Sequence, residues 1–240
     1  MKKFEMVNSF FNDSMSVDLS PLLENGIPRA LTHPPLIINP SITHEHDGYY
    51  CQTIFIAEHI GSHVDAPYHI HAAMSKDTID VAPVNALIGS AKVFDVSDLE
   101  LKPGEVLKLE EIKRIEKEKD IIIKEKDIIL VNFGYAKKYW SIKNWKYFSS
   151  NAPGLSKEIA KYFYHKKIKA IGSDTFACGT PTIDGKEGYC FIHNMLLKER
   201  IYLMECLQNL EKLPAEVFFV AAPLKIKNGS GSPIRALAFF

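Results

Sequence analysis

The chain has 240 residues, and 46% of them are hydrophobic, which is enough for a sizeable core. Its 29 Lys and Arg residues balance 29 Asp and Glu residues, so the formal net charge is zero. A general binder of nucleic acid or of anionic membranes would need a basic excess, and neither partner is expected. No apolar run reaches the ~20 residues of a membrane span or the pattern of a signal peptide.

The four cysteines, Cys51, Cys178, Cys190 and Cys206, form no C-x-x-C pair. A chain of this length does not need disulfides to fold, so a reducing cytoplasm is the expected location. Each cysteine is expected to be a small buried hydrophobic residue. Cys178 and Cys190 lie near candidate site residues, which leaves a role at the site open for them.

The first quarter of the chain is predicted to contain two strands separated by a proline-rich segment. A short strand closes with a turn at 17–21, and a strand rich in β-branched and aromatic residues covers 49–58. The prolines of 21–48 favour an ordered loop or edge region over a helix. Three histidines of this segment are expected to be exposed in a loop: His33, His44 and His46.

The densest cluster of chemistry-bearing residues follows as a run of six alternate positions, His59, Gly61, His63, Asp65, Pro67 and His69. Alternate residues of a strand face the same side, so this run can present three imidazoles and one carboxylate to one pocket. Gly61 and Pro67 argue against a helix. On a straight strand His59 and His69 would lie ~33 Å apart, so a bulge or turn is predicted at Gly61-Ser62.

The middle of the chain alternates between strand and helix patterns. A turn at 77–83 precedes a strand at 91–96, and apolar residues at helical spacing predict a helix over 107–115. Two strands are predicted next, at 121–123 and 127–133. The second is a continuous apolar run, which is typical of a strand covered on both faces.

Residues 135–150 form an aromatic segment that contains both tryptophans of the chain. Packing in the core or an interface is expected, and a lid or a substrate-binding wall stays open. Ser156 is a suitable N-cap for the helix pattern that follows, and 169–174 is predicted to be a strand. Interleaved strands and helices indicate a mixed α/β fold.

Two more candidate site residues lie near the C-terminal end. A helical pattern at 191–197 contains His193, and a strand at 201–207 contains Glu205 as a lone carboxylate. Leu203 and Leu207 share the face of Glu205, which disfavours its exposure. A buried ionised carboxylate needs an ion-pair partner or a metal, so Glu205 is a candidate functional residue.

The last residues predict a hairpin with strands at 218–226 and 234–238. Its turn contains the glycine-rich run Asn228-Gly229-Ser230-Gly231. No helix and no Gly-Lys-Ser follow this run, so it is not a phosphate-binding loop.

In order along the chain, these segments resemble the putative-cyclase family, which includes bacterial kynurenine formamidases (arylformamidases) and isatin hydrolases. The run from His59 to His69 resembles the family signature H-x-G-T-H-x-D-x-P-x-H. Further similar segments are Asp18-Leu19-Ser20, Gly172-Ser173-Asp174-Thr175, His193 and Glu205 followed by Leu207-x-Asn209-Leu210, Pro223-Leu224-Lys225-Ile226 and Gly231-Ser232-Pro233-Ile234-Arg235.

The resemblance implies a single-domain swivelling β/β/α cyclase-like fold over residues 1–240, assembled as a homodimer or homotetramer. It also implies a metal-dependent hydrolase with one or two Zn or Mn ions per chain. Five residues would hold metal: His59, His63, Asp65, His193 and Glu205. By family position the first three bind one ion, and Asp65 and Glu205 bridge to a second ion held by His193. His69 would be the general acid and base.

Some positions depart from the family pattern. Ser62 replaces the usual threonine and keeps the hydroxyl group. Residues 28–33 lack the tryptophan that contacts substrate in kynurenine formamidases, and Tyr135 stands where a tryptophan is frequent. Ala177-Cys178 replaces a serine-containing pattern. The metal site is therefore expected to be intact, whereas the substrate pocket is expected to differ.

The expected reaction is hydrolysis of an aryl formamide or a cyclic amide of a small-molecule substrate by metal-activated water. One alternative is an isatin-type hydrolase of another lactam or lactone. Another is a non-catalytic metal-binding protein on the same fold. His69 argues against the latter, because a metal store has no need of an acid and base.

Overall fold

The computed structural model describes residues 2–179 and 191–240, and the backbone of 182–183 and 186–187. The helices in these ranges are α1 Lys3–Asp13, α2 His44–Asp47, α3 Leu109–Glu118, α4 Tyr135–Tyr139, α5 Trp145–Ser150, α6 Lys157–His165 and α7 Phe191–Lys198. The strands are β1 Ser16–Asp18, β2 Ile37–Ile42, β3 Cys51–Phe55, β4 His63–Asp65, β5 Ile88–Asp95, β6 Val106–Leu107, β7 Ile128–Asn132, β8 Gly154–Leu155, β9 Ala170–Ser173, β10 Thr182–Ile183, β11 Lys186–Glu187, β12 Tyr202–Glu205, β13 Glu216–Pro223 and β14 Gly231–Phe239. Within the described part of the chain, no helix has the length and apolar character needed to cross a bilayer.

Strands from both halves of the chain close into a barrel. Their order is β14-β13-β5-β7-β9-β12-β4, and β4 pairs with β14 to complete the ring. The neighbours β5, β7, β9 and β12 are parallel to one another, whereas β4, β13 and β14 pair antiparallel. Strand β1 pairs antiparallel with residues 237–239 at the C-terminal end of β14. The prediction of a mixed α/β fold is confirmed.

The barrel has an apolar interior and an outer face that is covered by helices on its parallel side. Strand β7 shows both, because all five of its residues are buried. Ile128 and Leu130 belong to the interior cluster, whereas Ile129 and Val131 pack with residues of the outer helices. This two-sided burial is the reason why 127–133 is a continuous apolar run.

The outer helices form where their amphipathic patterns predict them. Helix α3 buries Ile112 and Ile115, and Arg114 on its exposed side pairs with Glu111 and Glu118. Helix α6 begins after Ser156, whose Oγ accepts a hydrogen bond from the amide of Ile159 at 3.4 Å. The apolar side of α6 is buried against the sheet.

Two segments differ from the sequence-based expectation. Residues 121–123 form no strand, although Ile121 and Ile123 are buried and Ile122 is 64% exposed, because the segment finds no ladder partner among the described residues. Residues 21–48 contain β2 and the single turn α2 rather than only loop. Strands β2 and β3 pair with each other in a two-stranded ribbon separate from the barrel.

Gly172 marks the place where the barrel interior has no room for a side chain. A Cβ atom there would lie 2.8 Å from Leu207 Cδ1 and 3.2 Å from Met204 Cβ. Gly172→Ala is therefore expected to lower the free energy of unfolding by about 1–3 kcal/mol through overpacking. Urea denaturation measures this change.

A double-variant cycle with Leu207→Ala is the control for this prediction. Leu207→Ala alone leaves a cavity and costs about 2–5 kcal/mol. In that background Gly172→Ala should cost little, because its methyl group occupies the vacated space. An equal cost in both backgrounds would contradict the steric explanation.

Candidate metal centre

The predicted site residues of the barrel lie on its outer face, where β4 and β12 run side by side. Their antiparallel register sets Asp65 opposite Leu203 and His63 opposite Glu205. The intervening Val64 and Met204 belong to the interior cluster, so their neighbours point outward. Glu205 is buried there, as the parity of its strand predicts, with 4% of its surface exposed.

A turn before β4 brings His59 back over the strand. Gly61 has φ +65°, a conformation that favours glycine, and the buried Ser62 Oγ donates a hydrogen bond to the carbonyl oxygen of Cys206 at 2.9 Å. As a result His59 Nδ1 lies 2.7 Å from Asp65 Oδ1. The predicted turn at Gly61-Ser62 is confirmed, and only His63–Asp65 of the run is a strand.

A second turn returns His69 to the same place. Pro67–His69 is a single 3-10 turn with proline at its start, where the missing N–H is not needed. The ring centroids of His69 and His59 are 4.1 Å apart. The two turns therefore bring together residues that a straight strand would hold far apart.

All six predicted site residues line one cavity of about 220 Å³. They are His59, His63, Asp65, His69, His193 and Glu205. The described part of its wall is completed by Ala30, Thr32, His33, Ile70, Phe176 and Ala177. A cluster of imidazoles and carboxylates thus faces a partly apolar wall.

Two buried carboxylates form the centre of the cluster, and imidazoles lie on both sides of them. His193 Nε2, from α7, lies 3.0 Å from Glu205 Oε1 and 3.2 Å from Asp65 Oδ2. His63 Nε2 lies 3.3 Å from Glu205 Oε2. The other ring nitrogen of His63, Nδ1, lies 2.9 Å from the carbonyl oxygen of Gly61 and donates to it, which leaves Nε2 facing the carboxylates.

The carboxylates stay ionised although burial opposes it. Burial raises the pKa of Asp65, but the neighbouring His69 and His59 rings and a hydrogen bond from His193 lower it well below its usual range. Burial and Asp65 raise the pKa of Glu205, and hydrogen bonds from His193 and His63 outweigh both. Conversely, burial lowers the pKa of His63, and Glu205 raises it to about 8. Positive charge is therefore favoured in the middle of the cluster.

His69 differs electrostatically from His63. Burial is the main cause that lowers the pKa of His69, and the His59 and His193 rings lower it further against the opposing effect of Asp65. Its imidazole is therefore neutral at pH 7 and able to accept a proton.

The donor set fits a divalent cation. Ligand atoms of His59, Asp65 and His69 all lie within 4.8 Å of one another, and so do those of His63, Asp65 and Glu205. Both groups combine imidazole nitrogen with carboxylate oxygen, which suits Zn and Mn, and both share Asp65. The resemblance implies a different first group, in which His63 rather than His69 joins His59 and Asp65. In the structure the His69 ring therefore lies closer to a ligand position than the resemblance implies.

His33 was expected to be an exposed loop histidine, and this prediction is wrong. The residue is half-buried on the cavity wall, and its ring centroid lies 5.8 Å from that of His59. Burial and the nearby His59 lower its pKa. It lies in an irregular segment without periodicity, so no pattern in the sequence indicated its position, whereas His44 and His46 are exposed as expected.

The cysteines have no direct part in the described cavity wall. Cys178 and Cys206 are buried, as expected, and burial raises the pKa of both thiols, which makes them unreactive. Cys51 is exposed, against expectation, because it lies on the ribbon strand β3. Cys190 lies outside the described residues.

The aromatic segment packs mainly in the core, as predicted. Phe148 is fully buried and Tyr135 nearly so, and the Tyr135 hydroxyl donates to the carbonyl oxygen of Phe148 at 3.1 Å. Phe148 in turn contacts Phe176, with ring centroids 5.6 Å apart. Through this contact the segment supports the apolar wall of the cavity.

The sequence and the fold are similar to those of known proteins. An isatin hydrolase from Roseibium aggregatum is 29% identical over 228 residues, covering 91% of this chain and 86% of its own. A kynurenine formamidase from Bacillus thuringiensis is 27% identical over 225 residues, covering 92% and 95%. A crystal structure of an isatin hydrolase bound to the product analogue thioisatinate superimposes with a TM-score of 0.87 at 26% identity, over 100% of this chain and 99% of that one.

The sequence model described as putative cyclase matches residues 17–179, which hold β4, the two turns beside it and four of the six predicted site residues. The remaining two, His193 and Glu205, complete the same cavity. The chain belongs to the putative cyclase family.

Proposed function

We propose that the protein is a metal-dependent amidohydrolase that cleaves an aryl formamide or opens a cyclic amide. The observation that carries the proposal is the convergence of four imidazoles and two buried carboxylates on one cavity with a partly apolar wall. Ionised carboxylates with so little exposure require a cation beside them. The isatin hydrolase and kynurenine formamidase relatives support the hydrolase class and the type of bond.

Five residues would hold one or two Zn or Mn ions: His59, His63, Asp65, His193 and Glu205. Asp65 belongs to both compact ligand groups and is therefore the residue on which binding most depends. A bound divalent cation supplies Lewis acidity, which polarises a carbonyl group and makes water more acidic.

His69 would move the proton. Its imidazole is neutral at pH 7 and borders the cavity beside His59. In this role a ring nitrogen accepts a proton from the attacking water and delivers it to the leaving nitrogen as the C–N bond breaks. An amine is a poor leaving group without that proton.

The substrate would lie against the apolar side of the cavity. Phe176 offers an aromatic surface there, and Ile70 and Ala177 add aliphatic surface. Ala30, Thr32 and His33 form the stretch of wall that contains a tryptophan in kynurenine formamidases. Thr32 and His33 make this stretch more polar than a tryptophan would, and with the isatin hydrolase relative they favour an isatin-type lactam as the second candidate substrate beside aryl formamides.

Removal of the shared carboxylate should abolish metal binding. We expect Asp65→Asn to lose bound Zn or Mn, because neither compact ligand group is complete without it. Equilibrium dialysis followed by elemental mass spectrometry measures the content. Asp120→Asn, at an exposed position, is the matched control and should keep the wild-type content. Full metal content in Asp65→Asn would contradict this assignment.

Loss of the proton carrier should lower turnover and leave the metal in place. For His69→Ala we expect kcat to fall about 10²–10⁴-fold on the substrate that wild type turns over best among isatin, N-formylkynurenine and simple lactones. Metal content should be retained, because the group of His63, Asp65 and Glu205 stays complete, whereas a ligand role for His69 would lower both quantities. His165→Ala, at an exposed position, is the control.

The same panel tests the alternatives. Preference for isatin over N-formylkynurenine would assign the lactam reaction. A metal-loaded wild type that is no faster than His69→Ala on every substrate would contradict the hydrolase proposal and favour a non-catalytic metal-binding protein.

We also propose that the protein is a homo-oligomer whose subunits meet at the β2–β3 ribbon. All five residues of β3 are exposed, including Ile54 at 54% and Phe55 at 56%. A two-stranded ribbon is marginal by itself, and a second copy of the same ribbon would cover its apolar side chains.

A charge in the ribbon should weaken this association. We expect Phe55→Glu to shift the protein toward a monomer in sedimentation velocity, because a buried carboxylate at the interface has no cation beside it. Gln52→Glu, exposed on the opposite face of the same strand, is the control for charge alone. A wild-type protein that is monomeric at all concentrations would contradict the proposal.

A further inference from the structure

The glycine-rich turn before β14 contacts His59, one of the residues of the candidate metal centre. Ser230, in the middle of Gly229-Ser230-Gly231, lies with its Oγ 2.9 Å from His59 Nε2. The same hydroxyl donates a hydrogen bond to Glu58 Oε2 at 2.6 Å, and the Ser230 amide donates to that oxygen at 3.0 Å. The other side of the His59 ring faces Asp65.

The hydrogen bonds around Ser230 indicate which nitrogen of the His59 ring carries a proton. The Glu58 carboxylate can only accept, so the single hydroxyl proton of Ser230 points to Glu58. Ser230 Oγ then accepts the proton on His59 Nε2. An imidazole that binds a metal carries one N–H, so with Nε2 protonated it is Nδ1 that presents its lone pair on the side of Asp65 Oδ1, 2.7 Å away. A cation held there would contact the ring nitrogen and the carboxylate oxygen together.

We propose that Ser230 and Glu58 are positioning residues that select the tautomer of His59 and make Nδ1 the atom that binds the metal. This inference rests on the proposed metal centre and assigns it a supporting pair that the sequence motif of the ligands does not contain. Glu58 is half-buried and His59 Nε2 lies 3.9 Å from Glu58 Oε2, so the serine is the direct contact and Glu58 acts through it.

The turn is built to hold Ser230 in this place. The carbonyl oxygen of Ser230 accepts a hydrogen bond from the Ala66 amide at 2.9 Å, and that of Gly229 accepts one from the Ile79 amide at 2.8 Å. A Cβ atom on Gly231 would lie 2.5 Å from His59 Cε1, and one on Gly229 would lie 2.8 Å from Glu58 Oε1. Both glycines are therefore needed for the close approach of the turn to the two side chains.

The experiment measures zinc affinity by competition with a chromophoric chelator, independently of turnover. We expect Ser230→Ala and Glu58→Ala each to weaken zinc binding about 10–100-fold, because the supporting hydrogen bond is lost or its direction is reversed. Ser230→Thr keeps the hydroxyl and should keep the affinity within a few-fold. Ser90→Ala is the matched control, since Ser90 Oγ donates to Glu216 Oε1 at 3.2 Å at an exposed site.

A spectroscopic readout separates tautomer selection from general disruption. In zinc-loaded wild type labelled with 15N-histidine, long-range 1H–15N spectra should show His59 protonated at Nε2. Circular dichroism should show Ser230→Ala folded as wild type. Wild-type zinc affinity in Ser230→Ala, or His59 protonated at Nδ1, would overturn the inference and leave the proposed function intact. No zinc or manganese binding by wild type would overturn both.

Discussion

The structure depends on the burial of two ionised carboxylates side by side on the outer face of a barrel. Asp65 and Glu205 come from distant parts of the chain and meet because β4 and β12 pair antiparallel. Burial of like charges is unfavourable unless opposite charge or hydrogen-bond donors surround them. The turn at Gly61, the 3-10 turn at Pro67–His69 and the placement of α7 all bring imidazoles to these two groups. The local geometry around the cavity follows from this one electrostatic requirement.

Much of the fold could be predicted because burial leaves a periodic pattern. Strand β7 and helices α3 and α6 have one clear environment on each face, and their residue patterns record it. The closure of the barrel could not be predicted, because it depends on β4, a strand of three residues. The segment 121–123 was predicted as a strand but is not one. Its side chains are alternately buried and exposed, as in a strand, but a strand also needs a neighbour for its backbone hydrogen bonds.

The site was predicted in composition but not in geometry. Strand parity identified both carboxylates: Asp65 is in phase with the histidines of its run, whereas Glu205 is in phase with Leu203 and Leu207, which disfavours its exposure. His33 carries no such signal, since irregular backbone gives no phase from which to infer a direction. The distinction between ligand and proton carrier for His69 likewise depends on distances across a turn, which residue order alone does not contain. Ser230 is separated from His59 by 171 positions, so only the pairing of β14 with β4 reveals the contact.

The short strand β4 has two tasks, since it carries His63 and Asp65 and also forms the seam where β14 closes the ring. Any ligand that binds these side chains only in the closed barrel therefore shifts the opening equilibrium of the seam by mass action. The C-terminal strand becomes part of the same thermodynamic unit as the cavity, although it pairs with β4 there only through Gly231, Ser232 and Pro233. Slow amide exchange in β14 would then report ligand occupancy at a distance, and local breathing of the barrel would set the rate at which a tightly held ligand escapes.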